Sequence, residues 1–173
     1  MRNPSGERVF NMVLMGLMTC LVIVATMFIK IPIPMTSGYV HLGDSMIFLS
    51  VLILGKKNGS FAAGVGSALG DILGGYAIWA PWTLIIKFIM AWILGCFAER
   101  FGKTGEVVGM VLAGAWMTAG YYVASSMMYG SWIVTLADIP WNLGQFVVGM
   151  ILACGLSVAL NKTPAKKYFQ HSL

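Results

Sequence analysis

No charged side chain interrupts the 21 residues from Val9 to Ile29. Wound as a helix at 1.5 Å per residue, such a run is about 31 Å long and matches the ~30 Å hydrocarbon core of a bilayer. It is too long for the apolar segment of a signal peptide, and no A-x-A site follows it. A retained first membrane helix is expected. The rest of the chain is of the same kind: of 173 residues, 58% are hydrophobic and only 10% charged, where a soluble domain carries about 25% charged residues. The length suits one domain, residues 1–173, with its core made of helices packed in lipid.

IPIPMTSGYVHLGD, with Pro32 and Pro34, ends the first helix. Apolar runs then recur at about 43–55, 60–74, 81–98, 107–128 and 141–160, and Pro81 suits the first turn of the fourth helix. The expected fold class is an all-α integral membrane protein with six transmembrane helices. In that arrangement Arg2, Arg8, Lys56, Lys57, Arg100, Lys103, Lys162, Lys166 and Lys167 share one side, and Lys30 stands alone on the other. The positive-inside rule then places both termini in the cytoplasm. The basic residues sit at the ends of apolar runs, so the net charge of +5 reads as a topology signal and not as a nucleic-acid surface.

The second and third runs are short. About 13 residues give roughly 20 Å, less than the ~30 Å core. Their shared hinge, Lys56-Lys57-Asn58, belongs on the cytoplasmic side, so the shortfall lies outside. Irregular backbone at membrane depth is tolerated where it is buried in protein or lines a cavity. The expectation is an outward-facing pocket covered by loop 1, residues 31–44. Helix tilt with local bilayer thinning is the alternative.

Polar residues within the runs mark candidate chemistry. Lys87 lies ~9 Å below the outer end of the fourth helix, where a charge costs at least ~2.5 kcal/mol on insertion scales. It should face a carboxylate or a ligand. Asp71, at similar depth, is the expected ion-pair partner; Asp44, at the start of the second helix, is the other candidate. Thr118, Tyr122, Ser125 and Tyr129 share one helical face, and the Asn142 and Gln145 amides can read donors and acceptors on a heterocycle or bond between helices. Tyr39, Tyr76, Trp79, Trp82, Tyr129, Trp132 and Trp141 all map to the outer end, against Tyr168 near the inner one. An aromatic belt marks both interfaces, so the asymmetry suits a stacking platform for a flat ligand. Ala62, Gly66, Gly70 and Gly74 form a small-residue stripe, and Gly16 and Cys20 a shorter one; either permits close helix approach within the chain or with a partner.

Other chemistries fail on spacing. Cys20, Cys96 and Cys154 form no CxxC, and His41 and His171 fall on opposite sides, so no metal site is expected. FGKTG has Phe97 where a P-loop needs its first glycine. There is no HExxH and no nucleophile–base set. No cofactor and no enzymatic activity are expected.

GYVHLGDSMIFLSVLILGKKNGSFAAGVGSALGDILGGY followed by WAPWTLIIKFIMAWILG resembles the substrate-binding S component of energy-coupling factor (ECF) vitamin transporters, in the group of riboflavin, pyridoxine and hydroxymethylpyrimidine S components. The likeness spans residues 9–160. It implies a six-helix fold whose vitamin pocket lies at the outer side, between loop 1 and helices four, five and six. That points to Tyr39, His41, Lys87, Tyr122, Trp132, Asn142 and Gln145, with Trp79 and Ser125 added from the aromatic and polar faces above. It also implies a membrane T protein and two P-loop ATPases as partners, in a bacterial cell membrane. The family's alanine-xxx-alanine contact for the T protein is matched here by Gly16 and Cys20, with Gly66 and Gly70 as further candidates. Nickel and cobalt members carry a histidine after the initiator methionine, where this chain has Arg2. The expected cargo is a small heteroaromatic vitamin or precursor: hydroxymethylpyrimidine or pyridoxine first, riboflavin next. Rival readings are a stand-alone secondary transporter coupled through Asp71, and a structural membrane subunit that binds no small molecule.

Overall fold

The structure is a computed structural model that describes residues 4–33 and 38–164; Arg2, Pro34, Lys166, Lys167, Tyr168 and His171 lie outside the described residues. Four long helices account for most of it: α1 (Pro4–Phe28), α2 (Gly43–Leu73), α3 (Ala80–Tyr129) and α4 (Asp138–Asn161). A 3-10 turn, Val134–Ala137, leads into α4. All four helices are long and apolar enough to cross a membrane. Between α1 and α2 the chain forms a small antiparallel hairpin of β1 (Lys30–Pro32) and β2 (Tyr39–His41), with Lys30 opposite His41 and Pro32 opposite Tyr39.

Two of the helices double back. Gly55 in α2 has φ 74° and Gly102 in α3 has φ 57°, backbone that glycine adopts without penalty. A Cβ placed on Gly59 would lie 2.6 Å from the Cα of Val51, and one on Gly109 would lie 3.1 Å from the Cα of Leu94. Residues eight and fifteen positions apart could not meet along straight helices rising 1.5 Å per residue, so each glycine marks a reversal into a helical hairpin. Lys56 bonds Glu99 at 2.6 Å and so ties the two reversals together. A single glycine reverses the chain with helical bonding on either side, which is why the expected loops at 56–59 and 99–106 are absorbed into helix. The same effect lengthens the third run. Residues 43–54 make a short arm of about 18 Å, as expected, but residues 56–73 extend to about 27 Å, close to a full crossing.

α2 is the centre of the molecule, packed against α1, α3 and α4. Its Ile47, Phe48, Val51 and Leu52 are fully buried and meet Met90, Leu94, Met110 and Met117 of α3. The small-residue stripe has a specific occupant. A Cβ on Gly66 would come within 2.9 Å of Val22, and one on Gly70 within 2.9 Å of Thr26, both on α1. Gly66 and Gly70 are therefore taken up by packing inside the chain, which corrects their assignment as partner contacts. Gly16 and Cys20 point the other way: Gly16 has open space around it and Cys20 is exposed, on a face shared with Val13, Leu17 and Val24.

This division is testable by thermal melting in detergent. Gly70→Leu should overpack the α1–α2 seam and lower stability by about 1–3 kcal/mol, whereas Gly16→Leu should melt like the parent. Equal losses in both variants would refute the assignment of the two faces.

Candidate functional site

The site is organised around a buried charge. Lys87 and Asp44 are both fully buried and form an ion pair. The Lys87 ammonium also meets Met117 Sδ at 2.8 Å and lies 5.4 Å from the centre of the Tyr121 ring. The partner expected from depth alone, Asp71, is not the one used. Asp44 opens α2, and a Cβ on Gly149 of α4 would fall only 2.7 Å from the Asp44 Cβ. The missing side chain at Gly149 lets α4 close over this carboxylate, and a hydrogen-bond chain follows. Asp44 Oδ2 accepts a bond from Gln145 Nε2 at 2.9 Å, and Gln145 Oε1 accepts the His41 backbone N–H at 2.9 Å. His41 Nδ1 in turn accepts the Gly43 N–H at 2.9 Å. The β-hairpin is thus anchored through α4 to the ion pair between α2 and α3.

Asp71 serves a second anchor. Its Oδ1 accepts the Tyr39 hydroxyl at 2.5 Å. Burial and the neighbouring Asp71 push the Tyr39 hydroxyl well above its ordinary pKa, so it remains a donor. The Tyr39 ring lies against Tyr76 with centroids 4.1 Å apart. The Lys30 ammonium stands 5.3 and 5.2 Å from these two ring centres, while donating to the Gly74 carbonyl at 3.0 Å. That cation–π contact occupies the charge of Lys30.

Between these anchors lies a narrow, partly open cavity. The hairpin contributes Ile33, Gly38, Tyr39 and His41; α2 contributes Asp71; Trp79, Thr83 and Tyr121 come from α3 and the residue before it; α4 contributes Asp138, Asn142 and Gln145. Tyr121 donates to Thr83 Oγ1 at 3.1 Å, and the Trp79 and Tyr121 rings are 6.1 Å apart. Asn142 Nδ2 donates to the Asp138 carbonyl at 2.9 Å.

Of the residues singled out from sequence, Tyr39, His41, Trp79, Asn142 and Gln145 meet at this cavity. Lys87 does not line it; its charge is taken by Asp44. Tyr122, Ser125 and Trp132 lie elsewhere. The Tyr122 hydroxyl donates to the Trp132 carbonyl at 3.0 Å, Trp132 is 54% exposed, and Ser125 is buried away from the cavity. The α3 face that turns inward carries Met117 and Tyr121, one residue out of phase with the polar rhythm of Thr118, Tyr122 and Ser125. Tyr121, Thr83 and Asp138 were missed. The four-residue step from Met117 to Tyr121 was the available signal, masked by the more polar face beside it. Among the described residues no group of three metal-ligating side chains is brought together.

The sequence model of the family described as ECF-type riboflavin transporter, S component, matches residues 7–162. The chain belongs to this family. Its members are transport components of membranes and not enzymes. An uncharacterised protein of Pyrococcus woesei is 39% identical over 142 residues, covering 82% of this chain and 95% of that one. The thiamine precursor transporter HmpT of Lactococcus lactis subsp. cremoris (strain MG1363) is 25% identical over 164 residues, covering 94% and 95%. A solved S component of a bacterial ECF transporter superposes with a TM-score of 0.73 at 17% identity, over 90% of this chain and 98% of that one. This last likeness establishes the fold.

Two outcomes test the anchors. Lys87→Met should destabilise the protein by about 3–5 kcal/mol by stranding a buried carboxylate, and adding Asp44→Leu should recover much of that loss; chemical denaturation in mixed micelles measures both. The second concerns His41, where burial, reinforced by the Lys87 charge, holds the imidazole down at about 3. A folded value below the ordinary ~6.5 means that its stabilising contribution is complete above about pH 6.5 and declines as the pH falls toward 3. Thermal midpoints should therefore drop between pH 7 and pH 4.5, with a shallower slope in His41→Asn. An unchanged slope would show that another group carries the dependence.

Proposed function

We propose that the chain is the substrate-capture subunit of an ATP-driven importer, binding a small heteroaromatic vitamin or precursor from outside the cell. The observation that carries this reading is the convergence of Tyr39, His41, Trp79, Asn142 and Gln145 on one cavity, in a chain of the S-component family. The two helical hairpins support six membrane crossings, and the distribution of lysine and arginine supports cytoplasmic termini; a bacterial plasma membrane is the proposed location. The β-hairpin then roofs the cavity on the outer side. A T protein and two ATPase subunits would supply the energy, since FGKTG is not a P-loop. The bare face of α1 around Gly16 and Cys20 is the surface offered to the T protein.

For cargo, hydroxymethylpyrimidine or pyridoxine comes first and riboflavin next. The likeness to a thiamine precursor transporter favours the pyrimidine. Bound ligand would stack among Tyr39, Trp79 and Tyr121 and meet Asn142 with its polar edge.

The test is ligand binding by the purified chain alone, read by tryptophan fluorescence across a panel of B vitamins and precursors. Saturable quenching by the pyrimidine or pyridoxine is expected, weakened about tenfold or more in Asn142→Ala, the scale of one lost buried hydrogen bond. A folded protein that responds to no compound would overturn the reading and favour a structural subunit. Uptake abolished by proton uncouplers with ATP held constant would favour a secondary transporter instead.

A further inference from the structure

The exposed charges of the chain gather at one end of it. Arg8 near the start of α1, Lys57 and Arg100 beside the two reversals, Lys103, and Lys162 after α4 are all exposed. At the opposite end no charged residue among the described residues is exposed: Asp44, Asp71 and Asp138 are buried, and Lys30 is half-buried with its ammonium on the Gly74 carbonyl. What that end exposes is apolar. Ile133 is 82% exposed, Phe28 81% and Ile78 70%, and Trp132 and Leu136 are about half exposed.

The connection between α3 and α4, residues 130–137, carries this furthest. A connection lying in water leaves backbone groups to solvent and tolerates polar side chains. Here no charge occurs from Val107 to Ala137, and the backbone is satisfied from within. The Ser131 carbonyl accepts the Thr135 hydroxyl at 2.9 Å, the Trp132 carbonyl accepts the Tyr122 hydroxyl at 3.0 Å, and the Ile133 carbonyl accepts the Leu136 N–H at 3.2 Å. The Val134 N–H donates to Ser131 Oγ at 3.3 Å. Beneath them the buried hydroxyls of Ser126 and Thr135 meet at 2.6 Å. Polar groups thus turn inward while Trp132, Ile133 and Leu136 turn outward. Backbone satisfied internally is what lipid requires and water does not. The apolar surface is also continuous with the helix faces on either side, where Met127 of α3 is 63% exposed and Leu143 of α4 42%.

We infer that residues 132–136 form a wedge inserted into the outer leaflet, with phospholipid hydrocarbon as the partner of Ile133 and Leu136 and the Trp132 indole at the headgroup level, where amphipathic rings settle. The hydroxyl network beneath holds the wedge in shape before lipid meets it. The inference goes beyond vitamin capture and rests on the six-crossing topology proposed with it.

The experiment places a nitroxide at Ile133→Cys in a chain whose Cys20, Cys96 and Cys154 are replaced by alanine, reconstituted into phosphatidylcholine vesicles. Power saturation compares collision with oxygen, which concentrates in hydrocarbon, and with a water-soluble nickel chelate. Lys57→Cys, at the charged end, is the aqueous control. The label at 133 should favour oxygen over nickel, the reverse of the label at 57, at the depth of an interfacial segment, about 5–10 Å into the headgroup and acyl boundary. Nickel access equal to that of the control would overturn the wedge and leave the crossings standing. Poor access to both agents would also overturn it, in favour of a contact with a second copy of the chain. A depth at the bilayer centre would overturn the wedge and the topology together. Where the cysteine-free chain does not fold, the parent and Trp132→Phe are compared in brominated phosphatidylcholine: the emission contributed by Trp132 should be quenched by the lipid bromine and spared by aqueous iodide, and the opposite pattern would overturn the inference.

Discussion

The architecture depends on one ammonium group buried where lipid or protein, but not water, surrounds it. Lys87 cannot remain charged there without a counter-ion, and Asp44 at the head of α2 is placed to meet it. The requirement propagates outward. Asp44 must approach α3 closely, α4 must present Gly149 to make room, and Gln145 must turn its amide to satisfy the second carboxylate oxygen. An ion pair of this kind contributes little net stability compared with apolar residues of the same size. What it contributes is definition: it ties α2, α3 and α4 together at one level and leaves few alternative ways to pack them.

The cavity is a by-product of how the hairpin is hung. One end of β2 is fixed at His41 through Gln145, and the other at Tyr39 through Asp71. Neither bond is to a neighbour in sequence, so the hairpin is held as a roof instead of collapsing between the helices. Lys30 fastens the opposite strand from outside with its ammonium over Tyr39 and Tyr76. The roof is polar where it meets the helices and aromatic where it faces the enclosed space. Such a lining suits a flat, polar molecule.

Much of this was legible in the sequence because membrane insertion imposes coarse rules. The apolar runs, the breaks at Pro32 and at the two lysines, and the isolation of Lys87 each follow from the expense of charge and open backbone in lipid. What was not legible depended on angles. Depth along a helix assigned Lys87 to Asp71, but depth carries no information on which way a side chain faces, and Asp44 lay on the facing side. In α3 the polar residues Tyr122 and Ser125 drew attention, whereas the chain turns Tyr121 inward, about 100° away around the helix. The loops expected at 56–59 and 99–106 vanished because one left-handed glycine does the work of several residues. The stripe of Gly66 and Gly70 was visible, but only packing could say that α1 of the same chain fills it.

The amide of Gln145 shows how little freedom such a centre leaves. Its two ends face opposite demands: a donor is needed toward Asp44, an acceptor toward the His41 N–H. A glutamate of the same length would satisfy the backbone but set a second carboxylate against a single ammonium. A leucine or methionine would fill the space and abandon both neighbours. Reversing the amide would place oxygen against carboxylate and N–H against N–H. Position 145 thus has a polarity as well as a shape, and that polarity lets one side chain join a charge in the middle of the bundle to a strand at its rim.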